Sequence, residues 1–473
     1  MNLYIKTSSK RWAADVGIRI SVMLPVFFLV FLVSSSFASI PVRGLVLDAA
    51  TRKPVAGASV TLDGIAVRTD LNGEFDFPHP VERIAARAPG YRRAEIVPGD
   101  KAPIIELKPF TPKGLYLSFW GAGHGGLRGA ALKLIEETEL NTLVIDVKGD
   151  LGLLSYPSAI PMAGEIGAQK TITLKKLPAL VNSLKEKGIY TIARVVVFKD
   201  TPLASARPEL AVRRTDGTPF TDREGLGWVD PFFSEIWDYN IAVAEEAARM
   251  GFDEVQFDYV RFPDTAGLVF SQENTEESRV AAISGFLARA SERLAPYNVF
   301  TSADIFGYVC WNTNDTSIGQ SLDELAPHVD YLAPMLYPSG FQHGVGEYKN
   351  PVKYPYEMVY LSLRKAQQRS GLPAVRFRPW LQAFRDYAFD RRHFKEFEIA
   401  AQIEASRDFG SNGWMLWNAS NTYRKYGLIV NSPSVPEKDE NLHQAEEDLR
   451  QAEENLRRAE ELNRKSKTSI GSS

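Results

Sequence analysis

The chain has 473 residues, enough for two or three domains at roughly 150 residues each. Hydrophobic residues make up 44% and charged residues 24%, the balance of a globular protein with a real core. A formal net charge of -3 lacks the basic excess of a nucleic-acid binder, so no nucleic-acid partner is expected. The single cysteine, Cys310, excludes an internal disulfide framework and a cysteine-built zinc cluster. Six histidines without ligand spacing argue against a histidine metal site.

The chain opens on a basic segment with Lys6, Lys10, Arg11 and Arg19, and then runs apolar over residues 20–33. That run is short for a bilayer span, which needs about 20 residues. Small residues at Ser36 and Ala38 suit a signal peptidase, so residues 1–38 read as a secretory signal cut after Ala38. An uncleaved membrane anchor is the alternative. Both place the rest of the protein in the periplasm or cell envelope, or outside the cell.

Residues 41–108 read as a small β-sandwich. Apolar residues at Val42, Leu45 and Leu47 begin it, Ala58–Leu62 continue it, and Asp63-Gly64 and Asn72-Gly73 are hairpin signals. From Lys113 the rhythm becomes strand, helix, strand. Strands are expected at 114–119, 141–147, 189–198, 254–258, 299–304, 329–336, 376–382 and 413–418, with helices near 127–138, 174–187 and 232–250. Eight such units over residues 113–428 fit an α/β (β/α)8 TIM barrel, its largest insertion being the loop from Lys199 to Trp228. Residues 436–466 then repeat heptads from Leu442, Leu449 and Leu456. They read as a charged helix, either a coiled coil for self-association or a solvated helix on the barrel.

A packed barrel carries its chemistry at the C-terminal ends of its strands. Those ends read Trp120, Asp146, Phe198, Asp258, Asp304, Tyr337, Gln382 and Asn418. On strand four Glu254, Gln256 and Asp258 share one face and Val255 and Phe257 the other, so the polar face points inward. Ser302 and Asp304 repeat the pattern on strand five. Neighbouring strands lie about 4.8 Å apart, which brings Asp258 and Asp304 within the separations of roughly 5–9.5 Å that paired glycosidase carboxylates use.

The segments Gln256–Pro263, Leu143–Lys148, Ser302–Gly307, Leu332–Pro338 and Gly413–Trp417 resemble a (β/α)8-barrel family of glycoside hydrolases. That family was long described as a domain of unknown function and is distantly similar to α-amylase-type barrels. Thr69–Phe75 and Ala88–Tyr91 resemble the carboxypeptidase regulatory-like β-sandwich, which implies a stalk or spacer without chemistry. The barrel resemblance implies Asp258 as nucleophile. Its strand-five acid is usually Glu, whereas this chain has Asp304, so the general acid is Asp304 with Asp146 in reserve. Arg261 is expected to hold Asp258 ionised by charge pairing.

Aromatic residues at the same strand ends (Trp120, Trp228, Tyr259, Phe306, Trp311, Tyr337, Trp380 and Trp417) offer flat faces to sugar rings, and about half are expected to line the cleft. The substrate-binding candidates are Asp146, Arg194, Arg261, Trp120, Tyr259, Tyr337, Gln382 and Trp417. The expected activity is retaining hydrolysis of a polysaccharide, without cofactor or metal. A carbohydrate-binding or envelope scaffold protein without chemistry is the alternative. A further one is a nucleotide-dependent oxidoreductase, because Gly121-Ala-Gly-His-Gly-Gly126 spells the dinucleotide fingerprint and Asp146 follows at suitable distance.

Overall fold

The computed structural model describes residues 42–62, 64–77, 81–99 and 101–431. The expected signal over 1–38 and the charged helix over 436–466 lie outside the described residues.

Seven short strands form two small sheets: β1 (Val42–Asp48), β2 (Ser59–Leu62), β3 (Ile65–Arg68), β4 (Glu74–Phe77), β5 (Ile84–Arg87), β6 (Ala94–Ile96) and β7 (Ile104–Leu107). Their orders are β4-β1-β7 and β3-β2-β5-β6. Alternate residues of both sheets, among them Val46, Val60, Phe75, Ile84 and Ile105, meet in one buried core. Strands β2 and β3 pair antiparallel as a hairpin, Leu62 opposite Ile65. Asn72-Gly73 does not make the expected hairpin: Asp70 Oδ1 accepts the Asn72 and Glu74 amides, and the turn carries the chain from one sheet to the other.

The barrel starts at β8 (Lys113–Leu117), followed by α1 (Phe119–Gly123), α2 (Gly125–Glu137) and β9 (Thr142–Lys148). Next come α3 (Pro161–Glu165), α4 (Leu177–Glu186) and β10 (Tyr190–Val196). The long loop carries α5 (Thr201–Ala206) and β11 (Arg213–Arg214) before α6 (Ser234–Arg249) and β12 (Glu254–Asp258). Then β13 (Leu268–Val269) pairs with β11, and α7 (Glu276–Leu294) leads into β14 (Phe300–Phe306). The remaining units are α8 (Leu322–Leu325) with β15 (Tyr331–Met335), α9 (Pro355–Ser370) with β16 (Trp380–Gln382), and α10 (Glu396–Phe409) with β17 (Trp414–Trp417).

The eight parallel strands β8, β9, β10, β12, β14, β15, β16 and β17 close on themselves, β17 pairing back onto β8. The architecture is the expected (β/α)8 barrel. Strand β16 is shorter than its expected span because Ala374–Arg376 coil into a 3-10 turn and Pro379 has no N–H for the ladder. Outward residues such as Leu143, Val195, Val255 and Ala303 pack under the helices. Inward ones, including Tyr116, Val144, Ile192, Phe300 and Trp380, fill the interior.

The sandwich lies under the N-terminal ends of the barrel strands. Arg92 and Arg93 donate to the carbonyls of Gly188 and Gly251, and Arg87 pairs with Asp330 at 3.3 Å where both are buried. Phe110, on the linker, packs on Tyr190 inside the barrel floor. Asp253 and Asp330 also latch neighbouring strands, accepting the Thr191 and Thr301 amides. The polar sandwich residues thus end on groups that already tie the barrel together.

Above that floor, Glu254 meets Arg378 in a fully buried ion pair. Tyr190 and Ser302 hydroxyls donate to the same carboxylate at 2.9 and 2.6 Å, and Tyr331 lies 3.8 Å beneath the guanidinium. Removing one member leaves the other charge buried and unpaired. Arg378→Met is therefore expected to lower stability by about 3–5 kcal/mol, read from urea unfolding. Adding Glu254→Gln should restore part of the loss, and a variant as stable as wild type would contradict the reading.

Candidate active site

The strand ends at the opposite, C-terminal mouth converge on one guanidinium. Arg194 sits on β10, inward and fully buried, level with Asp146 of β9 and Gln256 of β12. Its Nη1 donates to Asp146 Oδ1 at 2.7 Å, and its Nε and Nη2 donate to Asp258 Oδ2 at 2.8 and 2.6 Å. Nη2 also reaches Asp150 Oδ1 at 2.9 Å. Burial alone would lower the pKa of Arg194; Asp146, then Asp258 and Asp150, more than offset that and hold it well above its ordinary value. The planar fork of arginine suits this divided contact as lysine would not.

Each carboxylate has further partners. Asp146 Oδ2 accepts the Tyr116 hydroxyl at 2.8 Å and the Phe119 amide at 3.0 Å. Burial nevertheless pushes its pKa up to about 6, against the pull of Arg194. Asp258 Oδ1 accepts the amide of the next residue, Tyr259, at 2.6 Å. Tyr259 itself has a left-handed backbone (φ 49°), a conformation that costs a bulky residue energy. Strain at this point turns the chain sharply at the end of β12.

Asp304 lies beside Asp258 and is also buried. Trp380 Nε1 donates to its Oδ1 at 2.7 Å, while its Oδ2 meets no protein donor. Burial first, then the Asp258 charge, hold the Asp304 carboxyl well above the ordinary carboxylate range. Tyr337 borders the pair, its phenol held high chiefly by burial. Trp417 stacks on Tyr116 with centroids 3.9 Å apart and lies 5.0 Å from the Arg194 guanidinium.

Several expected partners fall elsewhere. Arg261 does not pair with Asp258; the turn at Tyr259 carries it away, and it stacks on Trp228 and Tyr259 and donates to the Phe262 carbonyl. The charge partner of Asp258 is Arg194. Gln382 is buried and already committed, accepting the Ser339 amide and donating to Ser339 Oγ and the Phe384 carbonyl, so it braces two loops instead of reading a substrate hydroxyl. Trp120 is 54% exposed on α1, because β8 ends at Leu117 and Ser118 caps the helix. Of the other rim aromatics, Trp228 is buried under the long loop, and Trp311 donates to Ser362 on α9.

Three contributors escaped the sequence reading. Asp150 follows β9 by two residues and, unlike Asp146 and Asp258, has a side chain that is 38% exposed. Tyr116 shares the inward face of β8, and its strand parity could have placed it. Trp380 was counted as a rim aromatic but is the donor that holds Asp304. The glycine fingerprint is occupied by packing: a Cβ at Gly121 would stand 1.7 Å from Asn421 Oδ1, and one at Gly123 2.6 Å from Thr173 Cβ. With those approaches filled and a closed barrel in place of a doubly wound sheet, the dinucleotide reading is withdrawn. Among the described residues, no group of three or more His, Cys, Asp or Glu is placed to hold a metal ion.

A closed (β/α)8 barrel with a buried carboxylate pair at its C-terminal mouth defines the class: a barrel of glycosidase type. The chain belongs to the family described as "Putative glycosyl hydrolase domain", which matches residues 114–423. It is similar to the crystal structure of a hypothetical protein from Ruminiclostridium thermocellum, with 39% identity over 40% of this chain and 96% of that one, at a TM-score of 0.37. It is also similar to the PgaB (BpsB) glycoside hydrolase domain from Bordetella bronchiseptica, with 14% identity over 66% and 94% of the two chains, at a TM-score of 0.48. A third similar structure is the spore cortex-lytic enzyme SleL from Bacillus megaterium, with 13% identity over 71% and 74%, at 0.39. No curated protein matches the sequence.

Arg194→Met tests the electrostatic arrangement. It strips Asp146 and Asp258 of their counter-charge and is expected to cost about 3–5 kcal/mol near neutrality. Burial already holds Asp146 at about 6, above its unfolded value, and losing the pull of Arg194 raises its folded pKa further. Stability then falls as pH rises through the ordinary carboxylate range, and the deficit against wild type shrinks on acidification. Thermal melts across pH check this; a deficit independent of pH would count against it.

Proposed function

We propose that this protein is a retaining glycoside hydrolase that cleaves a polysaccharide and works outside the cytoplasm. The observation that carries the reading is the pairing of Asp258, bound through Oδ2 to Arg194, with a buried Asp304 at the end of the neighbouring strand, its pKa raised by burial and by the Asp258 charge. Retaining glycosidases hold their two carboxyls roughly 5–5.5 Å apart, the closer of the two spacings such pairs use and the one that adjacent strand ends favour. Asp258 attacks the anomeric carbon and forms a glycosyl ester, while Asp304 gives its proton to the leaving oxygen. Asp304 then takes a proton from the water that hydrolyses the ester, and sugar leaves with its configuration retained. Arg194 binds and orients the nucleophile, Trp380 orients the acid, and Tyr337, Tyr259 and Trp417 border the sugar. The residues around 20–38 support an extracytoplasmic address by their signal-like composition.

Reducing-sugar release from a panel of bacterial exopolysaccharides and α-glucans tests the activity. Retention without release on every polymer would favour the scaffold reading. Asp258→Asn keeps shape but removes the nucleophile, and turnover should fall by several orders of magnitude with folding intact. Near-wild-type turnover in that variant would end the assignment. Asp304→Asn should slow natural substrates by about 10²–10⁴-fold and activated aryl glycosides far less, because their departure needs little protonation.

The acid's raised pKa also sets a pH limb. Asp304 acts while protonated, so kcat/KM should fall as pH rises through a value above the ordinary carboxylate range. Replacing Trp380 by Phe removes a donor that favours the charged form and should move that limb upward. A limb that stays in place, or moves down, would separate Asp304 from the pH profile.

A further inference from the structure

A concavity opens on the C-terminal face of the barrel, among residues that follow β8, β9 and β10. It is a groove of about 580 Å³, lined by Trp120, Leu151, Lys170, Thr171, Thr201 and Ser205 among others. That volume falls within the roughly 300–1,000 Å³ of ligand sites. Trp120 is 54% exposed and Leu151 37% exposed, although a chain gains by burying such side chains. The Trp120 ring is nonetheless held, edge to face with Phe119 at 4.9 Å and 84°, so a flat apolar platform stands ready at little cost in entropy. Around it lie the hydroxyls of Thr171, Thr201 and Ser205 and the ammonium of Lys170, the donors and acceptors that sugar hydroxyls use.

Two of its lining residues are chain neighbours of groups that contact the candidate active site. Phe119, whose amide holds Asp146, precedes Trp120; Asp150, which pairs with Arg194, precedes Leu151. A glycan seated on Asp258 and running over this edge of the barrel passes onto Trp120. We propose that the groove is a distal sugar subsite, with Trp120 stacking on a pyranose ring some units from the cleaved bond. The substrate is then an extended chain held along the mouth, and chain length is read here. This inference rests on the glycosidase reading of the site and names its substrate class as a polymer rather than a short glycoside.

The test compares Trp120→Ala with wild type in the full chain. Short and long oligosaccharides cut from amylose, from dextran and from a bacterial exopolysaccharide serve as probes, alongside affinity electrophoresis in gels containing each polymer. Losing the platform should raise KM for long oligomers by roughly fivefold to tenfold more than for short ones, with kcat less affected. The variant should also migrate faster through the gel that retards wild type. Equal losses on short and long substrates would mean a structural role and overturn the subsite, as would migration identical to wild type. Retardation that depends on Trp120 without cleavage of any polymer would keep the subsite and remove the hydrolase reading. Loss of a co-purifying protein, with glycan binding unchanged, would assign the groove to a protein partner and overturn the proposal.

Discussion

A guanidinium without water must be surrounded by acceptors, and the mouth of this barrel is built around that requirement. Arg194 contributes its Nε and both terminal nitrogens to Asp146, Asp150 and Asp258. Each contact fixes something beyond itself. Asp146 in turn takes the Tyr116 hydroxyl and the first amide of α1, so β8, β9 and β10 are joined through one cation. Asp258 is bound to Arg194, while burial first and the Asp258 charge second hold the Asp304 carboxyl well above the ordinary range. Two like side chains on neighbouring strands thus stand in unlike environments, one against a guanidinium and one against an indole N–H.

The barrel separates this chemistry from its structural ion pairs by height. Glu254 stands on the same strand and the same inward face as Asp258, four residues lower, yet it is matched by Arg378 and two hydroxyls. At the floor, Asp253 and Asp330 answer to backbone amides and to arginines of the sandwich. Carboxylates at those levels are met by fixed donors of the fold. At the mouth, Asp304 keeps an oxygen without a protein donor, and Asp150 faces solvent.

Much of this was legible because strand alternation is local. Glu254, Gln256 and Asp258 against Val255 and Phe257 assign an inward face without knowledge of any neighbour, and eight repeats of strand and helix imply closure. Partner identity is different, since it depends on which strands adjoin and where each one ends. Arg261 looked like the partner of Asp258 because it is three residues away; the left-handed turn at Tyr259 removes it, and no periodicity announces that turn. Trp120 was placed in the cleft by assuming that the first strand reached it, whereas the Ser118 cap starts a helix two residues sooner. Gln382 looked available until the Ser339 amide, from another loop, was seen to occupy it.

The seam of the barrel has its own clasp. Asn421 Oδ1 accepts the amide and hydroxyl of Ser118, and the Tyr423 hydroxyl donates to the Tyr116 carbonyl, fastening the last barrel segment to the first strand. Residues some 300 positions apart in sequence therefore meet at the strand that also carries Tyr116 into the site. During synthesis, β8 emerges early and waits with one edge unpaired until β17 and the segment through Tyr423 have left the ribosome. Contacts of such long range form slowly. The nascent chain thus holds an open, apolar-edged sheet for most of its translation, and its exposure to chaperones and to aggregation is set by the speed with which that final segment arrives.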